Sequence, residues 1–448
     1  MQRFYVETLG CPKNDVDSDK LVGALVADGM EATDDAALAD LVVVNTCAFI
    51  DTARQESVDT ILALDEQRNA TSRLVVTGCM AERYGDELAE ALPEVDQVAG
   101  FGQAFNLVPS DRDGTEVPTL QGASQTERKL IPVSSVPLPA FDLLNLPRPK
   151  SSAPWAYVKI AEGCDRSCGF CAIPSFRGPQ RSRDVESILD EVQQTEAREI
   201  VLVAQDLASY GKDRPDEMGA GSIVPLVNAV AAAVDRVRLL YLYPSDLSDE
   251  LIDSICNSGV PYFDLSLQHV SKPLLRRMRR WGDGQRFLDR IEDIRRREPT
   301  AAFRSNFIVG YPGETEEDHD QLLDFVERAQ LDWCGFFAYS NEEGTYAADL
   351  DQHVDPKLMN ERLVELRELQ DEITAARRDA LIGTTLEVLV DAPGVARSHL
   401  EAPEIDGIIH VPHDLAVGEL LHVEIVDALG PDLVAAGVDV STLDEIDD

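Results

Sequence analysis

The chain has 448 residues, which predicts two to four domains at about 100–200 residues per domain. It carries 82 Asp and Glu residues against 40 Lys and Arg residues, a formal net charge of −42. Such a charge disfavours a surface built throughout for nucleic acid or for anionic membranes, because both need a positive field. It would attract a basic protein partner, although a solvated acidic surface explains the same charge equally well.

The apolar runs are too short to span a membrane, which takes about 18 residues or more. The longest, residues 224–234, is interrupted by Asn228. The first ten residues contain one arginine and no long apolar segment, so we expect no secretion signal. Eight cysteines are too few for a disulfide scaffold in a chain of this length. We therefore expect reduced thiols that are available as ligands, and a cytoplasmic location.

The first hundred residues alternate predicted strands and helices. We expect strands at RFYVETLG, LVVVNTC, RLVVTGC and VDQVAG, and helices at residues 15–28, 52–67 and 82–92. The continuous apolar character of LVVVNTC is typical of a strand buried on both faces. The alternation predicts an open parallel α/β sheet with helices on both faces.

The alternation of predicted strands and helices is absent between residues 106 and 155. Eight of the 24 prolines lie between Pro109 and Pro154, among Ser, Gly and Thr residues. This composition predicts a linker or an extended crossing segment, and we place it at residues 109–150.

A second alternating unit follows, with six further predicted strands: AYVKI, EIVLVAQD, VRLLYLYP, YFDLSLQH, FRSNFIVGYPGE and CGFFAYS. Six strand–helix units predict a parallel βα barrel, complete or partial, with its chemistry at the carboxyl ends of the strands. A polar helix with an apolar stripe is expected at residues 357–381. After Gly383, short β-type runs predict a small all-β module that we expect to form a barrel.

Cys164, Cys168 and Cys171 form a C-x₃-C-x₂-C motif directly after the first predicted barrel strand. The alternative is a zinc site, but zinc normally takes four protein ligands, and the next histidine is His269. Three thiolates instead suit a 4Fe–4S cluster that leaves one iron open. That iron can chelate the methionine part of S-adenosylmethionine (SAM), which an electron from the cluster then cleaves. The motif therefore favours a SAM-cleaving iron–sulfur cluster.

Cys11, Cys47 and Cys79 each follow a predicted strand of the N-terminal sheet. If the three strands are parallel neighbours, their thiols meet at the edge where open α/β sheets bind ligands. This placement predicts a second cluster with an open iron, whereas the alternative is three inert buried cysteines. Cys256 and Cys334 have no other cysteines in matching positions, and we expect them to pack in the core.

Weaker signals surround the predicted barrel site. The run FIVGYPGE ends in a Gly-Pro-Gly turn that lets backbone approach a ligand closely. Polar residues also follow predicted strands, and each of them alone is more often a capping or core hydrogen-bonding residue: Gln205, Asp206, Gln268 and His269. From these two signals we take Gly310, Glu314 and Gln205 as candidates for a SAM pocket.

A basic patch, residues 272–297, carries ten basic and four acidic residues. Such a patch can bind phosphate or RNA, and a solvated helix face that balances acidic neighbours is an equally good interpretation.

Motifs along nearly the whole chain resemble the methylthiotransferases of the radical SAM superfamily: TLGCPKNDVDSDKL, VNTCAFI, VTGCM, EGCDRSCGFCAIPSFRGPQRSR, FIVGYPGETEED and APEIDG. The resemblance implies an N-terminal methylthiotransferase domain (residues 1–108), a radical SAM core (151–380) and a C-terminal TRAM β-barrel (381–448). It further implies an auxiliary 4Fe–4S cluster on Cys11, Cys47 and Cys79. The radical SAM 4Fe–4S cluster is implied on Cys164, Cys168 and Cys171.

Two branches of that family compete. One modifies an adenosine base of tRNA, and the other modifies an aspartate of protein twelve of the small ribosomal subunit. Several segments resemble the second branch: GCPKN, CAIPSFRG, VAQDLASYG, SLQHVS and YSNEEGT. Asp15 and Ala396 depart from the usual family pattern, but neither is a cluster ligand. We therefore expect the ribosomal-protein branch and keep tRNA modification as the alternative.

The resemblance also implies a reaction and its partners. One SAM would methylate a sulfur held by the auxiliary cluster. A second SAM would be cleaved to a 5′-deoxyadenosyl radical that takes hydrogen from the aspartate β-carbon, which then receives the methylthio group. The expected partners are a basic ribosomal protein, contact with ribosomal RNA, and an electron donor such as flavodoxin or ferredoxin. We expect a monomer with no membrane attachment.

Charge favours the same branch independently of the motifs. Residues 383–448 contain one basic residue, Arg397, and fifteen acids, a local charge of −14. RNA-binding barrels need the opposite sign, whereas an acidic module suits a basic protein substrate. The basic patch at residues 272–297 keeps contact with ribosomal RNA open.

Overall fold

The computed structural model describes residues 2–101, 103, 143–214 and 221–438. Most of the predicted linker therefore lies outside the described residues, as do the last ten residues of the predicted C-terminal barrel. All positions below refer to the described parts of the chain.

The N-terminal domain is a five-stranded sheet in the order β2-β1-β3-β4-β5, and all its strand pairs are parallel. Its strands are β1 (Arg3–Thr8), β2 (Glu31–Ala32), β3 (Leu41–Thr46), β4 (Arg73–Gly78) and β5 (Gln97–Val98). Its helices are α1 (Pro12–Ala27), α2 (Asp51–Gln67) and α3 (Cys79–Ala91). Every residue of β3 is buried, as its continuous apolar sequence predicts. The predicted open parallel sheet is confirmed.

The central domain is a partial barrel of six parallel strands in sequence order. They are β6 (Trp155–Lys159), β9 (Glu199–Val203), β10 (Arg236–Leu239), β11 (Tyr262–Gln268), β12 (Ala302–Val309) and β13 (Trp333–Ala338). They form two three-stranded sheets, which a single bridge between Leu242 and Leu265 connects. A short antiparallel pair, β7 (Ala161–Glu162) and β8 (Arg181–Ser182), follows β6. The predicted βα barrel is confirmed as a partial one.

Helices pack on the outside of these strands, where the largest apolar cluster lies. They are α4 (Ile173–Arg177), α5 (Val185–Thr195), α6 (Val224–Ala231), α7 (Asp249–Cys256), α8 (Lys272–Arg277), α9 (Gly284–Arg297), α10 (Glu316–Ala329) and α11 (Pro356–Asp379). Helix α10 begins with a capping box, in which Thr315 and Asp318 satisfy each other's backbone N–H groups. In the described parts of the chain, no helix combines the length and the apolar character needed to cross a bilayer.

The C-terminal domain is a small closed β-barrel in the order β14-β15-β16-β18-β17. Its strands are β14 (Thr385–Ala392), β15 (Val395–Arg397), β16 (Ile409–His410), β17 (Leu420–Leu429) and β18 (Asp432–Ala435). The predicted barrel is confirmed.

One apolar cluster combines residues of all three domains. Val16 of α1 and Leu400 and Ala402 of the C-terminal domain pack among side chains of the barrel strands, including Tyr157 and Trp333. Leu144, near the end of the predicted linker, contacts the N-terminal domain. The buried Lys20 of α1 donates to Leu144 O (2.7 Å) and pairs with Glu191 of α5 (3.0 Å). The described domains are therefore packed as one body.

A buried charge network joins the barrel to the C-terminal domain. The fully buried Glu199 accepts hydrogen bonds from Arg238 (2.8 Å) and from Arg397 of β15 (3.2 Å). Burial alone would raise the pKa of Glu199, but Arg397, Arg238 and Arg236 outweigh it and hold this pKa at about 2. The folded protein therefore stabilises the charged form of Glu199 relative to the unfolded chain.

Replacing Glu199 with Gln is expected to lower the free energy of unfolding by about 3–5 kcal/mol, because two buried guanidinium groups lose their shared carboxylate. The free energy from urea titrations at neutral pH measures this. Since the folded pKa lies below the ordinary value of 4.5, the contribution of Glu199 is complete above about pH 4.5 and disappears as the pH falls toward 2. The matched control is Glu387→Gln, which should cost about 0–1 kcal/mol, because the Glu387 side chain is half-exposed and the buried Arg236 keeps the carbonyls of Arg397 and Glu387 as acceptors. Equal costs for the two variants would contradict the assignment.

Candidate metal centres and active site

Cys11, Cys47 and Cys79 lie at one edge of the N-terminal sheet. They follow β1, β3 and β4, which are adjacent in the sheet, so the predicted gathering of the three positions is confirmed. Two glycines allow the close approach. A Cβ on Gly10 (φ +104°) would lie 2.9 Å from Cys47 Sγ, and a Cβ on Gly78 (φ +93°) would lie 2.5 Å from Thr46 O. Helix α1 begins directly after Cys11, and helix α3 begins at Cys79. The N-termini of both helices therefore lie at this edge.

Burial disfavours the thiolate form of two cysteines in this trio, Cys47 and Cys79. Burial raises the pKa of Cys47 to about 11, and the neighbouring Cys79 and Cys11 add to the increase. Burial also raises the pKa of Cys79, against which Arg177 acts. Burial thus favours the neutral thiols of Cys47 and Cys79, and a cationic group bound beside them would stabilise their thiolates.

Arg177 connects this trio to the barrel, and the sequence reading did not single it out. Its Nη2 donates to Cys79 Sγ (2.9 Å) and to Asn14 Oδ1 (3.0 Å). Its Nη1 donates to Glu162 Oε2 (3.1 Å), two residues before Cys164. The guanidinium is buried, at the end of α4, which follows the three-cysteine motif. The sequence signal that could have identified Arg177 is its position in CAIPSFRG, which begins with the last cysteine of the motif.

Cys164, Cys168 and Cys171 occupy a loop between β7 and α4, at the carboxyl end of the first barrel strand. The loop is held from several sides: Cys164 N donates to Gly178 O (3.0 Å), and Gly169 N donates to Met278 O (2.8 Å). Gly169 has no room for a side chain, since a Cβ there would lie 2.8 Å from the Tyr311 hydroxyl. The motif is therefore a fixed loop at the site where the sequence predicts it.

Two arginines flank this second trio. Arg280 Nη1 donates to Cys168 Sγ (3.5 Å), and Arg166 N donates to Cys164 Sγ (3.4 Å). The guanidinium groups of both arginines lie 3.9 Å from the Tyr243 ring. Burial raises the pKa of Cys164 to about 11 and that of Cys171 to about 12. Burial thus favours the neutral thiols of Cys164 and Cys171, and a cationic centre would stabilise their thiolates.

Both donor sets fit an iron–sulfur cluster with three cysteine ligands. Each supplies three reduced thiols, since all eight cysteines are free, and each lies beside a guanidinium that complements a thiolate. Among the described residues, no three His, Cys, Asp or Glu side chains are grouped closely enough for a single metal ion. Cys256, at the end of α7, and Cys334, in β13, pack against the main apolar cluster, as expected.

The SAM-pocket candidates lie in two places near the second trio. Glu314 is buried, with Oε2 accepting from Gly310 N (2.6 Å) and Oε1 from Arg362 (2.8 Å). It therefore fixes the turn after β12. Gln205 lies after β9 and donates to Glu162 Oε1 (2.7 Å). Its buried Oε1 has no hydrogen-bond partner in the described parts of the chain, which leaves an acceptor at this end of the barrel.

Two other strand-end residues, Asp206 and His269, have protein partners. Asp206 binds Arg166 (2.5 Å), the arginine beside Cys164. His269 is fully buried and accepts from Ser271 N (3.0 Å), and burial lowers its pKa to about 4. Much of the basic patch at residues 272–297 is paired with acids or backbone; for example, Arg290 and Arg297 both bind Asp249 (2.9 and 3.1 Å). This agrees with the interpretation of the patch as a balanced helix surface.

Comparison with protein families divides the chain into three matched segments. Residues 3–100 match the uncharacterized protein family UPF0004, residues 158–326 match the radical SAM superfamily, and residues 382–438 match the TRAM domain. The three segments correspond to the N-terminal sheet, most of the partial barrel and the small closed barrel.

Curated relatives match along nearly the full chain. Ribosomal protein uS12 methylthiotransferase RimO of Saccharopolyspora erythraea is 41% identical over 465 residues, covering 98% of this chain and 95% of that protein. The protein of the same name from Cutibacterium acnes is 42% identical over 473 residues, covering 97% of this chain and 98% of that protein.

Among solved structures, the radical SAM methyltransferase TsrM of Kitasatospora setae, with tryptophan and a SAM analogue bound, superposes with a TM-score of 0.50. The match covers 83% of this chain and 89% of that chain at 14% identity. This likeness concerns the fold alone.

Proposed function

The chain belongs to the RimO family of radical SAM methylthiotransferases, and from this membership we infer that it transfers a methylthio group to ribosomal protein uS12. The acceptor we propose is the β-carbon of an aspartate. Modification of a tRNA adenosine by a MiaB-like enzyme is not favoured, because the relatives that match nearly the full chain carry the uS12 name.

One observation supports the proposal: Arg177 connects the loops that carry two separate sets of three cysteines. The arginine binds Cys79 of the first site and Glu162, which adjoins the loop of the second. A methylthio transfer needs one site that prepares the sulfur and another that generates the radical, close to each other. An enzyme that only cleaved SAM would need a single site.

We propose that Cys164, Cys168 and Cys171 hold the radical SAM 4Fe–4S cluster and that Cys11, Cys47 and Cys79 hold an auxiliary one. When bound, the first supplies the electron that cleaves SAM and the second supplies the sulfur. The chain's own residues position these reactants. The Arg280 guanidinium and the backbone N–H of Arg166 donate to the sulfurs of the radical site. Close packing around Gly10 and Gly169 fixes the loops of the two sites.

For SAM binding we propose the end of the barrel that carries Gln205, Gly310 and Glu314. The unpartnered Gln205 Oε1 is available to accept a hydrogen bond from the ligand. Glu314 keeps the Gly310 turn in shape through its bond to Gly310 N, so its part is support of the pocket wall.

The substrate preference is supported by charge. The C-terminal barrel sequence carries fifteen acids and one arginine, a field that repels nucleic acid and attracts a basic ribosomal protein. We further propose a monomer that works in the cytoplasm and takes electrons from a donor such as flavodoxin or ferredoxin. Any contact with ribosomal RNA is proposed for the basic patch at residues 272–297. The domain boundaries we propose are 1–108, 151–380 and 381–448, with a linker at 109–150.

The reconstituted enzyme with SAM and a reductant tests this function. Small ribosomal subunits that lack the modification and unmodified tRNA are offered separately, and both are analysed by mass spectrometry. We expect one hydrogen of a uS12 aspartate to be replaced by SCH₃, and tRNA to remain unchanged. Modification of tRNA alone would refute the proposal.

A further inference from the structure

A segment after the last barrel strand is anchored to the N-terminal domain by one buried carboxylate. Glu342 is 2% exposed, and its Oε2 accepts from both Arg54 Nη1 (2.5 Å) and Arg83 Nη1 (2.8 Å). Its Oε1 accepts from Ser340 Oγ (2.5 Å). Two arginines from helices α2 and α3 thus converge on a single barrel residue about 260 to 290 positions away.

The same contact reaches the loop of Cys47. Arg83 Nη1 also donates to Ala48 O (3.0 Å), the carbonyl directly after that cysteine. On the other side of the loop, Asp51 N donates to Ser340 Oγ (3.4 Å). The loop between Cys47 and α2 is therefore held against the barrel by Arg83 and Ser340, both of which bind Glu342.

The other end of the segment reaches the loop of the second trio. Glu342 O accepts from Thr345 N (3.2 Å) and Thr345 Oγ1 (2.7 Å), which closes a tight turn. Beyond the turn, Ala347 N donates to Gly169 O (2.8 Å), between Cys168 and Cys171. Residues 340–347, which we call the bridging segment, thus contact both cysteine loops within eight residues.

We propose that Glu342 is a positioning residue that sets the relative placement of the two cysteine sites. By binding Arg54 and Arg83 it fixes the bridging segment to the Cys47 loop, and the turn it caps carries that restraint to Gly169. The inference rests on the proposed function, since it concerns the transfer of sulfur from one site to a radical formed at the other. Such a transfer is steeply sensitive to placement, because errors of about 1 Å cost roughly a hundredfold in rate.

Glu342→Gln tests this role, since it keeps the shape and removes the charge that both arginines bind. The first readout is the number of methylthiolated products per 5′-deoxyadenosine released by the reconstituted enzyme. We expect that ratio to fall about tenfold while SAM cleavage continues. The second readout is hydrogen exchange in the full chain without clusters, which should accelerate over both residues 47–54 and the bridging segment. Ser340→Ala, which keeps the charge, should give smaller changes in the same direction.

Glu343→Gln is the matched control, because the neighbouring Glu343 contributes only its carbonyl to Arg83 and its side chain is exposed. It should leave both readouts unchanged. The proposal is overturned if the product ratio of Glu342→Gln equals that of the wild type, or if the ratio falls without faster exchange in the two segments. The proposed function fails separately, if wild-type enzyme forms no methylthiolated uS12.

Discussion

Replacing Cys168 with Ala is expected to abolish reductive cleavage of SAM, with a fall in 5′-deoxyadenosine formation of at least about a thousandfold, or roughly 4 kcal/mol in the barrier. Cys168 lies in the middle of the three-cysteine loop and accepts a hydrogen bond from Arg280. The substitution would leave only two thiolate ligands, Cys164 and Cys171, for the cluster. Chromatographic detection of 5′-deoxyadenosine after anaerobic reconstitution measures the effect.

Cys256→Ala is the control for the loss of a thiol elsewhere in the barrel. Cys256 ends α7 and packs against the main apolar cluster, away from either trio, so its replacement should leave SAM cleavage intact. Cleavage at the wild-type rate by Cys168→Ala would contradict the assignment of the radical site.

Replacing Cys47 with Ala is expected to separate the two halves of the reaction. SAM cleavage should stay within a few-fold of the wild type, because Cys47 belongs to the N-terminal sheet and its backbone bonds to Ser57 are local. Methylthiolated product should fall to background, since two cysteines remain for the auxiliary cluster. Iron and sulfide analysis should show the loss of one of two clusters.

Cys334→Ala provides the matched control in this case, as another cysteine outside the trios. It should retain both clusters and form methylthiolated product. The auxiliary role of Cys47 is disproved if Cys47→Ala makes product at the wild-type rate, or if it loses SAM cleavage as completely as Cys168→Ala does.

The sequence predicts the gathering of Cys11, Cys47 and Cys79 for a simple physical reason. Each residue directly follows an apolar strand, and neighbouring parallel strands end at the same edge. The position of the second trio after the first barrel strand follows in the same way. Strand periodicity and local spacing are enough for both, because the decisive contacts lie within single domains.

The contacts between the domains could not be predicted in this way. Arg177 binds Cys79, 98 residues away, and Glu342 binds Arg83 and Arg54 of the N-terminal domain, 259 and 288 residues away. No periodic pattern encodes such pairs, since they depend on how the finished domains dock. The segment YSNEEGT resembles one branch of the family in sequence, but only the contacts of Glu342 show that it connects the two cysteine loops.

The sequence also does not distinguish which candidate residue at the carboxyl ends of the barrel strands would contact SAM. Glu314 and Gln205 both follow strands, yet Glu314 has both oxygens bound by the protein, whereas Gln205 has a buried oxygen without a partner in the described part of the chain. A strand-end position predicts location, and only the local hydrogen bonds distinguish support from a free acceptor.

The most direct test of the account is mass spectrometry of ribosomal protein uS12 and of tRNA from a strain that lacks this gene, beside the parent strain and a strain complemented with the wild-type protein. The account predicts that the methylthio group disappears from an aspartate of uS12 in the deletion strain, returns on complementation, and that tRNA modification is the same in all three. Intact methylthiolation of uS12 in the deletion strain, with loss of a methylthio group from tRNA, would contradict it.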